Sequence, residues 1–149
     1  MKQEQYKLNL TLPASADFID LARLTLYGVA NKMGFSYEDI EDMKVAVAEA
    51  CNNVVVHAYP EGVEGTIELT FEMDDHSLSI HVSDNGLSFA FEERTSDEPP
   101  HTGKALEDIS VGGLGIYLMQ ALMDEVKVTG DKGTRVTLVK HLYASSASK

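Results

Sequence analysis

Polar and apolar residues alternate from Tyr6 to Leu12 in YKLNLTL, and the alternation stops at Pro13. A period of two predicts a strand with one buried face. The period then changes: Phe18, Leu21, Ala22, Thr25, Val29 and Met33 recur at three- and four-residue intervals. That spacing predicts an amphipathic helix, capped by Ser15 or Asp17 and ended at Gly34. A second helix opens at Ser36, with Asp39 three residues on in a near capping box, and extends to about Tyr59-Pro60. Its apolar stripe is Ile40, Met43, Val47, Ala50 and Val54. Alternation returns in Gly65 to Met73 and in Ser77 to Ser83, and Asp74-Asp75-His76 between them predicts a hairpin turn.

Periodicity is lost over residues 86–111, which hold the Pro99-Pro100 pair and many polar groups. Loops of that length inside a compact domain are uncommon and are often lids, so a lid over a ligand is expected. Beyond it, Leu114 to Met123 reads as a short helix, Glu125 to Thr129 and Arg135 to Leu142 as strands, and 144–149 as a frayed tail. The order β-α-α-β-β-lid-α-β-β does not alternate as a doubly wound fold does. It predicts an α/β two-layer sandwich, a mostly antiparallel sheet with helices on one face, in a single domain over residues 1–143.

The 149 residues suffice to bury a core without disulfides. The single Cys51 and the lack of Cys/His clusters at zinc spacing favour a reducing compartment. MKQEQYKLNL has no apolar signal-peptide region and no run approaches the length of a membrane span, so a cytoplasmic protein is expected. A net charge of −12 argues against direct nucleic-acid binding and against anionic membranes. Such an acidic chain could hold a nucleotide only with backbone N–H groups and a bound cation to offset the phosphates.

Candidate chemistry lies in four places. Glu49, Asn53 and His57 recur every four residues, which on a helix of about 100° per residue places them within roughly 80° of one another, beside the buried stripe. Asp84-Asn85-Gly86 ends a strand; Gly112, Gly113, Leu114 and Gly115 open a helix, where backbone N–H groups and the helix dipole suit phosphate; Gly133-Thr134 opens another strand. The G-x-G-x-x-G spacing of a dinucleotide site is missing.

These motifs, in this order, resemble those of the GHKL (Bergerat) ATPases, which include gyrase and the histidine kinases. Within them the chain is most similar to the small anti-sigma-factor serine kinases, from LARLTLYGVANKMG through EDMKVAVAEACNNVVVHAY to GGLGIYLMQALMDEVKV. The resemblance implies an ATP-dependent serine kinase with Glu49 as general base and Asn53 as ligand of a Mg²⁺ ion. It implies that Asp84 accepts a hydrogen bond from the adenine amine, that Gly86 lets the base approach, and that Thr134 helps hold the adenine end. His57 matches the family's histidine position, where hydrogen bonding at the helix end is favoured over chemistry. Lys104 is a candidate γ-phosphate contact; the arginine that some members carry before the glycine loop is Val111 here, and the family's D-x-G-x-G has serine at position 88.

The resemblance also implies partners: a sigma-B-like alternative sigma factor, an anti-anti-sigma protein that accepts the phosphate, and a second copy in a homodimer. Arg23 stands at the position that touches the protein partners. Two alternatives stand beside this reading: a nucleotide-binding anti-sigma module without kinase activity, disfavoured by the intact Glu49, and a histidine-kinase catalytic domain, for which the 149 residues leave no room for a phospho-accepting dimerisation helix.

Overall fold

The computed structural model describes residues 5–58, 65–84, 115–130 and 134–143. The expected lid at 86–111, with Gly86 and Lys104, lies outside them, as do Gly112, Gly113, Leu114 and the tail at 144–149. Strand β1 spans Tyr6–Pro13. Pro13 is its last residue, and Ala14 N–H, the next available donor, bonds to the Gly65 carbonyl at 2.9 Å. Proline is tolerated there because β1 is an edge strand.

A 3₁₀ turn, Ala16–Phe18, leads into helix α1, Ile19–Met33. Of the two candidate caps, Ser15 performs the function: its Oγ accepts from Asp17 N–H at 3.2 Å. The helix buries Ile19, Ala22, Leu26, Val29 and Ala30. It ends at Gly34, whose φ of 96° lies in the left-handed region that favours glycine. Gly34 N–H donates to the Asn31 carbonyl and Phe35 N–H to the Ala30 carbonyl, each at 3.1 Å, a Schellman closure with buried Phe35 as its apolar partner.

Helix α2, Tyr37–Asn53, is capped by Ser36 Oγ, which accepts from Asp39 N–H at 3.1 Å. The anticipated stripe Ile40, Met43, Val47, Ala50 and Val54 is buried, joined by Ala46 and Cys51. The regular helix ends earlier than expected. Val54–Ala58 is a π turn, in which each backbone group reaches one residue further, so the 3.6-residue geometry that placed His57 on one face with Glu49 and Asn53 stops at Asn53.

Strands β2, Thr66–Met73, and β3, Ser77–Asp84, form the hairpin. Its turn is held by Asp74, whose Oδ1 accepts from His76 N–H at 2.7 Å and Ser77 N–H at 2.8 Å. Those two donors hold the Asp74 carboxyl below its ordinary range. Residues 115–122 form helix α3, followed by β4, Glu125–Thr129, and β5, Arg135–His141.

The five strands lie in the order β1-β2-β3-β5-β4, and every described pairing is antiparallel. Register aligns one apolar row, Phe71, Ile80 and Leu138, across β2, β3 and β5, and a second, Leu69, Val82 and Val136. All six side chains are buried with those of α1 and α2 in one core. The opposite face is polar: His81 bonds Thr137 Oγ1 at 2.9 Å, and Thr70 Oγ1 donates to Asn9 Oδ1 at 3.0 Å. Helices on one face of an antiparallel sheet make the two-layer α/β sandwich that the element order predicts.

Candidate functional site

The structure brings the candidate residues together in two groups: Glu49 and Asn53 of α2 against Gly115 of α3, and Asp84 at the end of β3 with Thr134 just before β5. Glu49 and Asn53 lie one turn apart on α2, both half-buried beside the fully buried Ala50 and Cys51. Against them lies Gly115, buried at the first described turn of α3. The approach is close: a Cβ on Gly115 would stand 3.0 Å from Glu49 Oε1 and 3.9 Å from both Asn53 Nδ2 and Oδ1. A carboxylate and a carboxamide thus face the same residue of α3, with no side chain from residue 115 between them.

Asp84 follows from the alternation of β3. Its inward positions read Leu78, Ile80, Val82 and then Asp84, so a period of two sets a carboxylate where the apolar series would continue. At 6% exposure Asp84 is the buried charged residue among the described residues. Burial of a carboxylate is costly without hydrogen-bond donors, and Thr134 N–H supplies one to Asp84 Oδ2 at 2.9 Å. Thr134 therefore touches Asp84 through its backbone, which its residue type does not disclose.

Of the remaining sequence candidates, His57 has its backbone in the π turn. Arg23 sits on α1, paired with Asp20 at 2.5 Å. Its guanidinium also acts across the α1–α2 seam on Cys51: burial pushes that thiol up to about 12, and Arg23 opposes the shift. Around Arg23 on α1 lie the exposed side chains of Leu21, Leu24 and Tyr27.

Lys140 drew no attention in the sequence. Its Nζ donates to the Leu122 carbonyl at the end of α3 at 2.6 Å and lies 4.0 Å from Asp39 Oδ1 in the first turn of α2. A lysine at the inward register of a strand, opposite buried Leu78, was the available signal.

No group of three or more His, Cys, Asp or Glu side chains among the described residues could hold a metal by itself. A Mg²⁺ ion fits the donor set nonetheless. It takes hard oxygen ligands, keeps several waters and is commonly bound by one or two protein groups plus substrate phosphates. Asn53 Oδ1, 3.9 Å from where a Cβ on Gly115 would stand, is such a donor.

Residues 12–140 match the histidine kinase-like ATPase domain. The chain is 43% identical over 143 residues to the serine-protein kinase RsbW of Bacillus cereus strain AH820, covering 95% of this chain and 89% of that protein. Identity to the serine-protein kinase RsbW of Bacillus subtilis strain 168 is 41% over the same shares. Among solved structures, the RsbU and RsbW domains of Rv1364c from Mycobacterium tuberculosis match with a TM-score of 0.64 at 22% identity. That match covers 91% of this chain and 32% of the other, about a third of its length, and shows a shared fold.

Proposed function

The chain belongs to the histidine kinase-like ATPase family and to its RsbW serine-protein kinases, and on that premise we propose how the site works and whom it serves. It is an ATP-dependent protein-serine kinase. The observation that carries the site assignment is the meeting of Glu49 and Asn53 against the backbone of Gly115.

In this reading the Glu49 carboxylate accepts the proton of the attacking serine hydroxyl as the new Oγ–P bond forms and the bond to the ADP oxygen breaks. A placed general base contributes about 10²–10⁴-fold, so Glu49 governs the rate of transfer and not nucleotide affinity. Asn53 Oδ1 would be the protein's ligand to Mg²⁺, which when bound neutralises charge on the phosphates. Asp84 accepts from the exocyclic amine of adenine, and Thr134 fixes the Asp84 carboxylate in place. Gly86, Gly112, Gly113, Leu114 and Gly115 are assigned to the backbone that approaches base and phosphates, and Lys104 to the γ-phosphate. His57 is assigned to the helix end beside them.

The protein substrate is assigned as an anti-anti-sigma protein that accepts phosphate on serine, and the sequestered partner as a sigma-B-like alternative sigma factor. Support for a protein-docking surface comes from α1, where Leu24 is 64% exposed and Leu21 and Tyr27 flank Arg23 with further apolar area. Exposed apolar side chains around an arginine are the usual make-up of a binding patch. The reading further places the protein in the cytoplasm as a homodimer; no described helix is long and apolar enough to cross a membrane.

The test is a pull-down from the native cell, repeated with ATP and with ADP, followed by incubation of each captured protein with the kinase, Mg²⁺ and γ-labelled ATP. Capture of a sigma factor and of a second protein that becomes serine-phosphorylated is expected. Capture of neither, from a kinase that still binds ATP, would remove the partner assignment.

A further inference from the structure

Gly115 occupies helical backbone, where glycine is the poorest residue after proline. Conformational freedom does not explain it, since Gly34 is the glycine with positive φ among the described residues. What glycine provides at this position is the missing Cβ. The contrast with Gly28 makes the point: Gly28 is also helical, yet a Cβ there would meet nothing within 4 Å, whereas at Gly115 it would stand 3.0 Å from Glu49 Oε1.

We propose that Gly115 is a positioning residue for Glu49, its bare Cα keeping open the space in which the carboxylate lies beside Asn53. The proposal rests on the assignment of Glu49 as the base. Asn53, at 3.9 Å, would make an ordinary contact with an added methyl, so the displacement falls on Glu49 alone. Because α2 is anchored by its buried stripe, the carboxylate yields by turning about its own side-chain bonds. General-base transfer needs the base within hydrogen-bond reach of the proton it takes, and a misplacement of about 1 Å can cost about 100-fold. A shift of a few tenths of an ångström therefore suffices to slow the reaction without emptying the nucleotide site.

The experiment compares Gly115→Ala and Gly28→Ala in the full chain, each alone and in a Glu49→Ala background, with Glu49→Gln as reference. Gly115→Ala is expected to lower kcat for phosphate transfer about tenfold, a larger effect than any rise in the KM for ATP from its place beside the phosphates. Alanine favours helix at both positions, so Gly28→Ala should raise the melting temperature more than Gly115→Ala does, the shortfall at residue 115 being the penalty of moving Glu49. In the Glu49→Ala background that penalty should vanish, because the group it struck is gone. The same penalty in that background, a loss confined to KM, or transfer at the wild-type rate would each overturn the proposal. The two readings separate cleanly: if Glu49→Gln is inactive and Gly115→Ala is unimpaired, the positioning role fails alone. If Glu49→Gln still transfers phosphate, the base assignment fails and the positioning role falls with it.

Discussion

Asp84 and Thr134 hold each other in both directions: Asp84 N–H donates to the Thr134 carbonyl at 3.3 Å, and Thr134 N–H donates to Asp84 Oδ2 at 2.9 Å. The first bond extends the β3–β5 ladder one residue past Ser83 and Arg135. The second makes the position of a buried carboxylate depend on where β5 begins. A hydrogen bond to a charged group contributes about 1.5–3 kcal/mol, enough to fix the orientation of the side chain proposed to meet adenine.

Replacing Asp84 therefore separates two effects. Asp84→Ala leaves Thr134 N–H without its acceptor and should destabilise the fold by about 1–3 kcal/mol. Asp84→Asn keeps an acceptor for Thr134 but brings a donor towards the adenine amine, so ATP affinity should fall about tenfold with a smaller loss of stability. Urea unfolding measures the loss of stability, and calorimetry with Mg²⁺ present measures the loss of ATP affinity. In the wild type, ATP should bind much more tightly than GTP, since guanine offers a carbonyl where adenine has an amine; equal affinities would rule out Asp84 as the adenine acceptor.

Glu49→Gln preserves shape and removes the proton acceptor, so phosphate transfer should drop at least about 100-fold with ATP affinity nearly unchanged. Asn53→Ala should instead lose Mg²⁺-dependent nucleotide binding and transfer together. Single-turnover transfer and calorimetry on the two variants distinguish these patterns. A Glu49→Gln enzyme retaining more than about a tenth of the wild-type rate would require another base.

Cys51 provides a pH-dependent prediction. Burial raises its thiol from 9.0 to about 12, with Arg23 opposing. Above pH 9.0 the unfolded chain releases this proton while the folded chain keeps it. The contribution is thus fully present below that pH and is lost as pH rises towards 12. Cys51→Ala should be less stable than wild type near neutrality because it leaves a small cavity, and the gap should narrow with a limiting slope of about 1.4 kcal/mol per pH unit above the unfolded value. Urea midpoints at about pH 8 and about pH 10.5 measure it; a constant gap would show that the thiol does not titrate on unfolding.

Arg23→Ala should weaken binding of the sigma factor, the antagonist or both by about tenfold or more, with ATP affinity unchanged. If one surface serves both partners they compete, and addition of about −1.5 to −2 charges by phosphorylation should expel the antagonist from this acidic protein. Light scattering at saturating ATP gives the decisive observation: a stable ternary complex of kinase, sigma factor and unphosphorylated antagonist would defeat the shared-surface model.

Period and capping chemistry made the elements legible. The strand at Glu125–Thr129 has the expected limits, Gly34 closes α1, and the stripe from Ile40 to Val54 lies in the core. Those features depend on local rules: alternation, three- and four-residue spacing, and the freedom of glycine at positive φ. What escaped depends on contact between distant segments. The π turn at Val54–Ala58 follows no residue in VVVHA that forbids a regular helix, and it changes the phase of the last turn, which holds His57. Asp84 is a turn residue by type, and it becomes a buried acceptor because β3 carries its inward period one step further. The need for glycine at 115 exists only because this part of α3 packs against Glu49.

Lys140 yields the last prediction, since it ties together the ends of the two site helices that lie away from the site. Its ammonium donates to the Leu122 carbonyl, an acceptor at the end of α3 that has no partner within the helix, and stands 4.0 Å from Asp39 in the first turn of α2. The side chain is 12% exposed, so the bond to Leu122 is little screened, whereas Asp39 is 36% exposed and the longer contact contributes little. Lys140→Met keeps the apolar stem and removes the charge. It should cost about 1.5–3 kcal/mol, which for a chain of this size lowers the melting temperature by several degrees. Asp39→Asn should cost about 0.5 kcal/mol or less, because its N–H still caps on Ser36. The functional consequence follows from geometry: Gly115 and Glu49 belong to the two helices that Lys140 joins, so a loosened α3 should slow phosphate transfer more than it weakens ATP binding. Scanning calorimetry and single-turnover transfer on the two variants measure both effects. Equal losses for Lys140→Met and Asp39→Asn would show that the ion pair, and not the helix-end hydrogen bond, carries the link.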